Sequence, residues 1–236
     1  MHDVALFPLP RVLLPQAPLT LHVFEPRYRT MIEHCLTHGM PWAVVLVEAA
    51  THHSGEIRDT TAMTDWLETF AVNANDEYPA MLPHVVATTV HIHENRRFAD
   101  GRFLLQCHGD QRIRLTGLTQ RTPYLIARAE PWPSESSPAA KAATIAIHDL
   151  HERFWRTLTR IGGRDQTPVP QLSTDPVQLS WQLAELMHID EARKQEWLCM
   201  STALRIRSMI RALRAELATY PTQAPTAEYP TPWIWN

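Results

Sequence analysis

The stretch LFPLPRVLLPQAPLTLHVFEPRYRTMIEHCLTHG, residues 6–39, decides the fold. It holds two short extended runs and one helix, each with legible punctuation. Residues 4–6 and 19–24 carry the β-branched and large apolar side chains of strands, and Pro8, Pro10, Pro15 and Pro18 break the chain between them. Glu25-Pro26 opens a helix, because proline at the first helical position gives up no hydrogen bond and a carboxylate suits the positive end of the dipole. Tyr28, Met31, Ile32, Cys35 and Leu36 then recur at the spacing of a single apolar stripe. Gly39 can take the left-handed conformation that ends such a helix, and His34 and His38 lie in its last turn, where positive charge is favoured.

Outward from this stretch, residues 42–47 (WAVVLV) are a continuous apolar run, short enough for a strand buried on both faces. Residues 85–93, 102–107 and 111–118 are rich in Val, Thr, Ile and Leu and are separated by loops at 99–101 and 108–110, which are hairpin-like separations. Residues 123–132 finish the β-rich part. Between the first and second groups, residues 50–83 differ in character: they hold His52, His53 and Gly55, a run of Thr, and TDWLETF at 64–70, which predicts a short helix capped by Thr64 or Asp65.

The polar segment PSESSP at 133–138 is the best domain boundary in the chain. After it the period changes. Ala143, Ile147, Leu150, Phe154, Leu158 and Ile161 predict a long helix ended by Gly162-Gly163. Asp175-Pro176 starts another, with Gln178 placed to complete a capping box and Leu179, Leu183 and Leu186 on its inner stripe. Asp190 and Ser201 are N-caps for two more, the last with Ile206, Met209, Ile210, Leu213 and Leu217 on one face. Residues 221–236 are rich in Pro and Thr and end in Trp233, Ile234 and Trp235.

A strand ending in FPL, a proline-bounded loop, a strand ending in FEPRY and then an amphipathic helix resemble the start of the Lon protease amino-terminal (LON substrate-binding) domain. The likeness continues in HGDQRIRLTGL at 108–118, where Gly109, two residues and the basic-apolar-basic run Arg112-Ile113-Arg114 are similar to a strand of that family, and in YLIARAEP at 124–131. Residues 50–83 depart from the family, which has a shorter connection there leading to a strand with a glycine near its start; none lies between Gly55 and Gly101. The resemblance implies an α+β fold, a PUA-like β pseudo-barrel with one inserted helix followed by a C-terminal helical bundle. The corresponding domains are 1–132, with 50–83 as a variable insertion, then the bundle at 138–219 and a tail at 220–236.

With 236 residues the chain is long enough to bury roughly 70% of its unfolded surface without disulfide staples. Cys35, Cys107 and Cys199 are far apart and sit in apolar patterns, which predicts buried thiols in a reducing compartment. There is no basic-then-apolar leader and no long uncharged apolar run, so the expectation is a soluble cytoplasmic protein without a membrane partner. The net charge of −3 argues against a general polyanion binder.

The motifs of catalysis are missing. No GxxxxGK[ST] is present and seven scattered glycines cannot cradle phosphates, which excludes ATP hydrolysis. Lys141 and Lys194 are the two lysines, and neither stands beside a glycine-framed serine, so no Ser-Lys protease dyad is recognised. His34 with His38, His91 with His93, and His148 with His151 each offer two imidazoles, but a metal site needs a third ligand from another element, and no sequence pairing points to one. No metal or other cofactor is expected. Arg207, Arg211 and Arg214, with Arg205 nearby, read as a solvated helix face in preference to an RNA-binding stripe.

The resemblance, together with these absences, implies a non-catalytic polypeptide-recognition module for exposed apolar segments of unfolded or degradation-prone proteins. Its implied partners are such polypeptides and an ATP-dependent protease that would receive them, while the aromatic tail at 220–236 is expected to dock back on its own bundle or on a second copy of the chain. Rigid, partly exposed aromatics are the usual anchors for peptides, and Trp66, Phe70, Trp132 and Trp155, near loops or polar faces, are the candidates. A small hydrolase using His52 or His53 with an acidic residue of 50–83 is the second reading, and an RNA-binding PUA-like protein the third.

Overall fold

A computed structural model describes residues 2–46, 86–163 and 167–220. The chain divides into two compact units, one of residues 1–134 with 185–199, the other of 135–184 with 200–236.

The first unit is built on a six-stranded mixed sheet. Its strands are β1 (His2–Leu9), β2 (Pro18–Val23), β3 (Trp42–Leu46), β4 (Val86–Arg97), β5 (Phe103–Gln120) and β6 (Ile126–Pro131), in the order β2-β5-β4-β3-β1-β6. β5 also pairs with β6, so the pairings from β5 through β4, β3, β1 and β6 return to β5. Such a circuit buries one face of its strands, here Val4 and Leu6 of β1 with Ala43 and Val45 of β3. On the other face Phe7 meets Tyr28 and Trp42, so that Val4, Ala5 and Leu6 and all of β3 are buried. β1 and β3 lie parallel, Ala5 opposite Trp42 and Leu9 opposite Leu46, which requires a crossover; the chain between them supplies β2 and helix α1 (Pro26–His38). β2 alternates instead, with Leu19, Leu21 and Val23 inward against the first half of β5.

α1 begins at Glu25 with Pro26 at its first position and ends at Gly39, whose φ of 65° is the left-handed cap. Tyr28, Met31, Ile32 and Cys35 are buried, and the Tyr28 ring stacks on Phe7 at 4.5 Å. Leu36, expected on the same stripe, is 41% exposed. At about 100° per residue it lies some 80° round from Tyr28, at the stripe's edge.

The proline-broken segment 12–17 is not a surface loop. Val12, Leu13, Leu14 and Ala17 are buried. Gln16 N–H donates to the Gly109 carbonyl (2.7 Å), Gly109 N–H donates to the Ala17 carbonyl (3.0 Å) and Thr88 Oγ1 donates to the Leu13 carbonyl (2.6 Å). A side chain on Gly109 would place its Cβ 2.2 Å from the Leu14 carbonyl oxygen, so only glycine lets the segment cross β5 here.

The long helix expected after the linker is α2 (Pro138–Ile161), capped by Ser137 Oγ accepting from Ala140 N–H. α3 (Pro176–Leu186), α4 (Glu191–Cys199) and α5 (Thr202–Thr219) follow. In the second unit α2 packs along α5, with Ile147 of α2 and Ile206, Met209 and Leu213 of α5 fully buried. Asp190 and Ser201 are N-caps, accepting from Arg193 N–H (2.6 Å) and Leu204 N–H (3.4 Å). At Asp175 the capping box is indirect: its Oδ1 accepts from Gln178 N–H, but Asp175 N–H donates to Ser173 Oγ, which in turn donates to Gln178 Oε1.

α4 belongs with the sheet and not with the other late helices. Val12 N–H donates to Glu191 Oε2, Gln195 Nε2 donates to the Val86 carbonyl (2.9 Å), and Arg112 donates from one guanidinium nitrogen to the Leu198 carbonyl (2.6 Å). Trp197, Leu198 and Gln195 are buried there. The periodicity of α4 is weak because much of what fixes it is polar and directed at backbone atoms.

Gly109→Ala is expected to destabilise the chain by about 2 kcal/mol or more, since the opposing atom is backbone and cannot swing aside. Urea unfolding followed by tryptophan fluorescence checks this; an unchanged midpoint would mean that segment 12–17 does not lie where it is described.

Candidate functional site

The outer face of the β2-β5-β4 part of the sheet is open, at least to the described residues. The register sets His22 of β2 beside Leu104 of β5 and Arg96 of β4, and Thr20 beside Gln106 and Glu94. Thr20 Oγ1 donates to Gln106 Oε1 (2.9 Å), a cross-strand pair on that face. The opposite face of the same strands carries the buried Leu19, Leu21, Val23, Phe103, Leu105 and Cys107.

One end of the outer face is aromatic. Phe24, just beyond β2, is 61% exposed. The His22 ring lies 6.2 Å from Phe24 and 6.2 Å from Phe98, which follows β4. The Arg96 and Arg102 guanidiniums stand over Phe98 at 5.2 and 5.7 Å. Arg102 is also paired with Asp100 at 2.6 Å, and the Arg102 backbone N–H and guanidinium hold the Asp100 carboxyl below its usual range. Among the described residues Arg96 has no carboxylate partner. The result is an apolar surface rimmed by cations, suited to an apolar or aromatic side chain with a carboxylate near it.

The aromatic candidates read from the sequence divide. Trp66 and Phe70 lie outside the described residues, as do His52 and His53. Trp132 belongs to the first unit and is half-buried, with Arg114 at 5.3 Å and Arg112 at 6.0 Å from its ring centre. Its N–H donates to the Arg112 carbonyl (3.0 Å). Arg112 is itself buried and also donates to the Pro133 carbonyl (3.1 Å); burial pushes its pKa down to about 10. Arg114 is fixed by Glu130 (2.6 Å). The basic-apolar-basic run therefore braces Trp132 and the chain that leaves the sheet. Trp155 belongs to the second unit, half-buried on α2 with its ring 6.5 Å from His151.

Phe24 escaped the sequence reading because it was absorbed into the strand run 19–24, and Phe98 because it lies between the run at 85–93 and the loop at 99–101. The signal was that Phe24 follows the inward Val23 and falls on the outward beat of the alternation.

The basic stripe is corrected at one position. Arg205 is fully buried, its guanidinium 3.4 Å from the Trp181 ring centre, with Nε donating to Ser180 Oγ (3.0 Å) and another nitrogen to the Met200 carbonyl (3.1 Å). It is a core ligand of α3 and of the turn before α5. Arg207, Arg211 and Arg214 are exposed.

The histidine pairs are likewise different from one another. His34 Nδ1 is hydrogen-bonded to the Tyr124 hydroxyl and His38 Nδ1 to the His34 carbonyl (3.1 Å), so both act structurally. His151 is buried, and burial, then the nearby His148, lower its pKa. His91 and His93 are joined on the outer face by His108 of β5. Burial, then His93 and His91, lower the His108 pKa. None of the three cysteines is in a disulfide, and burial pushes Cys35 up to about 12 and Cys107 and Cys199 up to about 11, so none is a thiolate nucleophile near neutral pH.

The family model of the ATP-dependent protease La (LON) substrate-binding domain matches residues 3–213. The chain belongs to this family. Among solved structures it is similar to a Lon N-terminal domain protein from Xanthomonas campestris, at 21% identity and a TM-score of 0.56, over 94% of this chain and 100% of that one. It is similar also to the N-terminal domain of Mycobacterium avium complex Lon protease, at 16% identity and a TM-score of 0.60, over 90% of this chain and 98% of that one. These likenesses establish a Lon N-terminal-like α+β fold. No curated protein matches the chain. Among the described residues of this LON domain, no helix is long and apolar enough to cross a membrane.

Two outcomes are expected. Arg112→Met leaves the Leu198 and Pro133 carbonyls short of a donor and should cost about 3 kcal/mol in urea unfolding, more than a surface arginine would. His151 is depressed from its ordinary value of 6.5, so the unfolded chain takes the proton first. Its stabilising contribution is whole above that value and is lost as pH falls through it toward the folded pKa. The melting temperature should therefore drop between about pH 7 and pH 5 more in the parent than in His151→Gln.

Proposed function

We propose that this chain is a non-catalytic polypeptide-recognition module, binding exposed apolar segments of unfolded or degradation-prone proteins. Membership of a family named for substrate binding supports the class of function. The observation that carries the mode is the exposed Phe24 beside His22, Phe98 and Arg96 on the outer sheet face. A native protein keeps its large apolar side chains inside and would offer little to such a surface, whereas an unfolded one presents them in extended segments.

In this reading the circuit of strands is the PUA-like pseudo-barrel, and the helices outside the sheet unit are the bundle. Trp132 and Trp155, and in sequence Trp66 and Phe70, are further aromatic candidates for contact with a polypeptide, each taken by itself. The family's description supports delivery to an ATP-dependent protease, which gives the binding a consequence. Nothing in the reading requires a cofactor or a nucleophile.

The test is fluorescence anisotropy of a labelled model protein, permanently denatured or native, titrated with the purified chain. Binding of the denatured form in the micromolar range, at least about tenfold tighter than the native form, is expected, and Phe24→Ser should weaken it by about tenfold, or ~1.4 kcal/mol. Equal binding of both forms, or none at tens of micromolar, would overturn the proposal.

A further inference from the structure

Three imidazoles meet on the outer sheet face, away from the aromatic end. His91 and His108 are direct partners across β4 and β5. Their ring centres are 5.1 Å apart, those of His91 and His93 5.3 Å, and those of His93 and His108 4.4 Å with the planes only 22° from parallel. His93 Nε2 and His108 Nδ1 are 2.5 Å apart.

This gathering has a specific backbone cause. Ile92 pairs with Cys107 and Glu94 with Gln106, so His93 is the extra residue of a bulge with no partner of its own on β5. A bulge re-aims a side chain, and here it turns His93 over His108. The strands beneath are fixed by the buried Cys107 and Leu105, whereas the rings do no packing: His91 and His93 are exposed and His108 half-exposed. Among the described residues the three rings hydrogen-bond to no carboxylate and no backbone carbonyl.

We propose that His91, His93 and His108 form a cross-strand binding site for a divalent transition-metal ion, of the class that imidazole nitrogen selects: zinc, copper or nickel. As the rings stand, no group of three His, Cys, Asp or Glu side chains among the described residues is set to hold an ion. The 2.5 Å contact explains why. An ion about 2.0–2.1 Å from each of two ring nitrogens holds them roughly 3 Å apart, so the proton now shared between His93 and His108 occupies the ion's place. On capture the ring that donates this bond passes the proton, through solvent, to its own other nitrogen, so that both facing nitrogens offer lone pairs; the rings part by under ~1 Å through side-chain rotation, and His91 is recruited while the strands stay in place. The third ligand that the His91-His93 pair lacked in sequence is thus His108, fifteen residues on from His93.

Isothermal titration of the full chain with zinc chloride at pH 7.5 tests this. One equivalent binding in the micromolar range is expected, weakened at least tenfold in His93→Gln/His108→Gln and unchanged in His34→Gln/His38→Gln, which removes the close pair on α1. Copper(II) bound to the parent should show nitrogen couplings in its electron paramagnetic resonance spectrum that are lost in the first double variant. Both substitutions in the cluster are on exposed or half-exposed side chains, and circular dichroism confirms folding before titration. Binding unaltered by the His93→Gln/His108→Gln change, or no heat up to millimolar zinc, would overturn the proposal.

Discussion

The Leu14 carbonyl lies so close to Gly109 that no side chain fits between them, and the sheet is organised around that approach. It brings the proline-broken segment 12–17 across β5 at mid-strand, where Gln16 and Ala17 exchange hydrogen bonds with Gly109 and Thr88 ties down Leu13. On one side of this crossing β5 pairs with β2, on the other with β6, and it pairs with β4 along most of its length. A straight strand could not serve all three neighbours. Register shifts at Leu115/Gly117 and Leu118/Gln120 against β6, and two more against β4, bend it enough to do so.

A second constraint is polar. Arg112 is buried at 3% exposure, and taking a guanidinium out of water is costly unless its donors are used. Its two terminal nitrogens are used on backbone carbonyls, Leu198 at the end of α4 and Pro133 where the chain leaves the sheet. With Glu191 accepting from Val12 and Gln195 donating to Val86, α4 is held to the sheet by three bonds that all involve main-chain atoms. Main-chain partners are indifferent to side-chain identity, which is why nothing in the sequence of α4 announces where it belongs.

That difference marks what could be read from the residues. The bounds of α1 were legible because Pro26 and Gly39 act on their own backbone, and the buried β1 and β3 because continuous apolar runs admit few alternatives. Capping by Ser137, Asp190 and Ser201 is local too. Interactions between distant residues were not legible. Arg205 looked like part of a basic stripe, since helical spacing cannot reveal that Trp181 and Ser180 wait for it. His108 looked isolated until β5 placed it opposite His91. The outward aromatic end required knowing that β2 and β4, on opposite edges of β5, both finish at its Phe103 end.

The functional account rests on a contrast between the two sides of one sheet. Inward, Leu19, Leu21, Val23, Phe103 and Leu105 form ordinary core. Outward, Phe24 and Phe98 stand next to the ends of the same strands with cations at the rim, each one residue from paired backbone, so binding a chain there costs little ordering of the protein. The most direct measurement is hydrogen–deuterium exchange of this chain with and without a permanently unfolded client protein. The account requires slowed exchange in the peptides covering residues 18–24 and 94–106, with the core of α1 unchanged. Slowing confined to other segments, or none at a concentration where anisotropy reports binding, would contradict the assignment of the outer sheet face as the recognition surface.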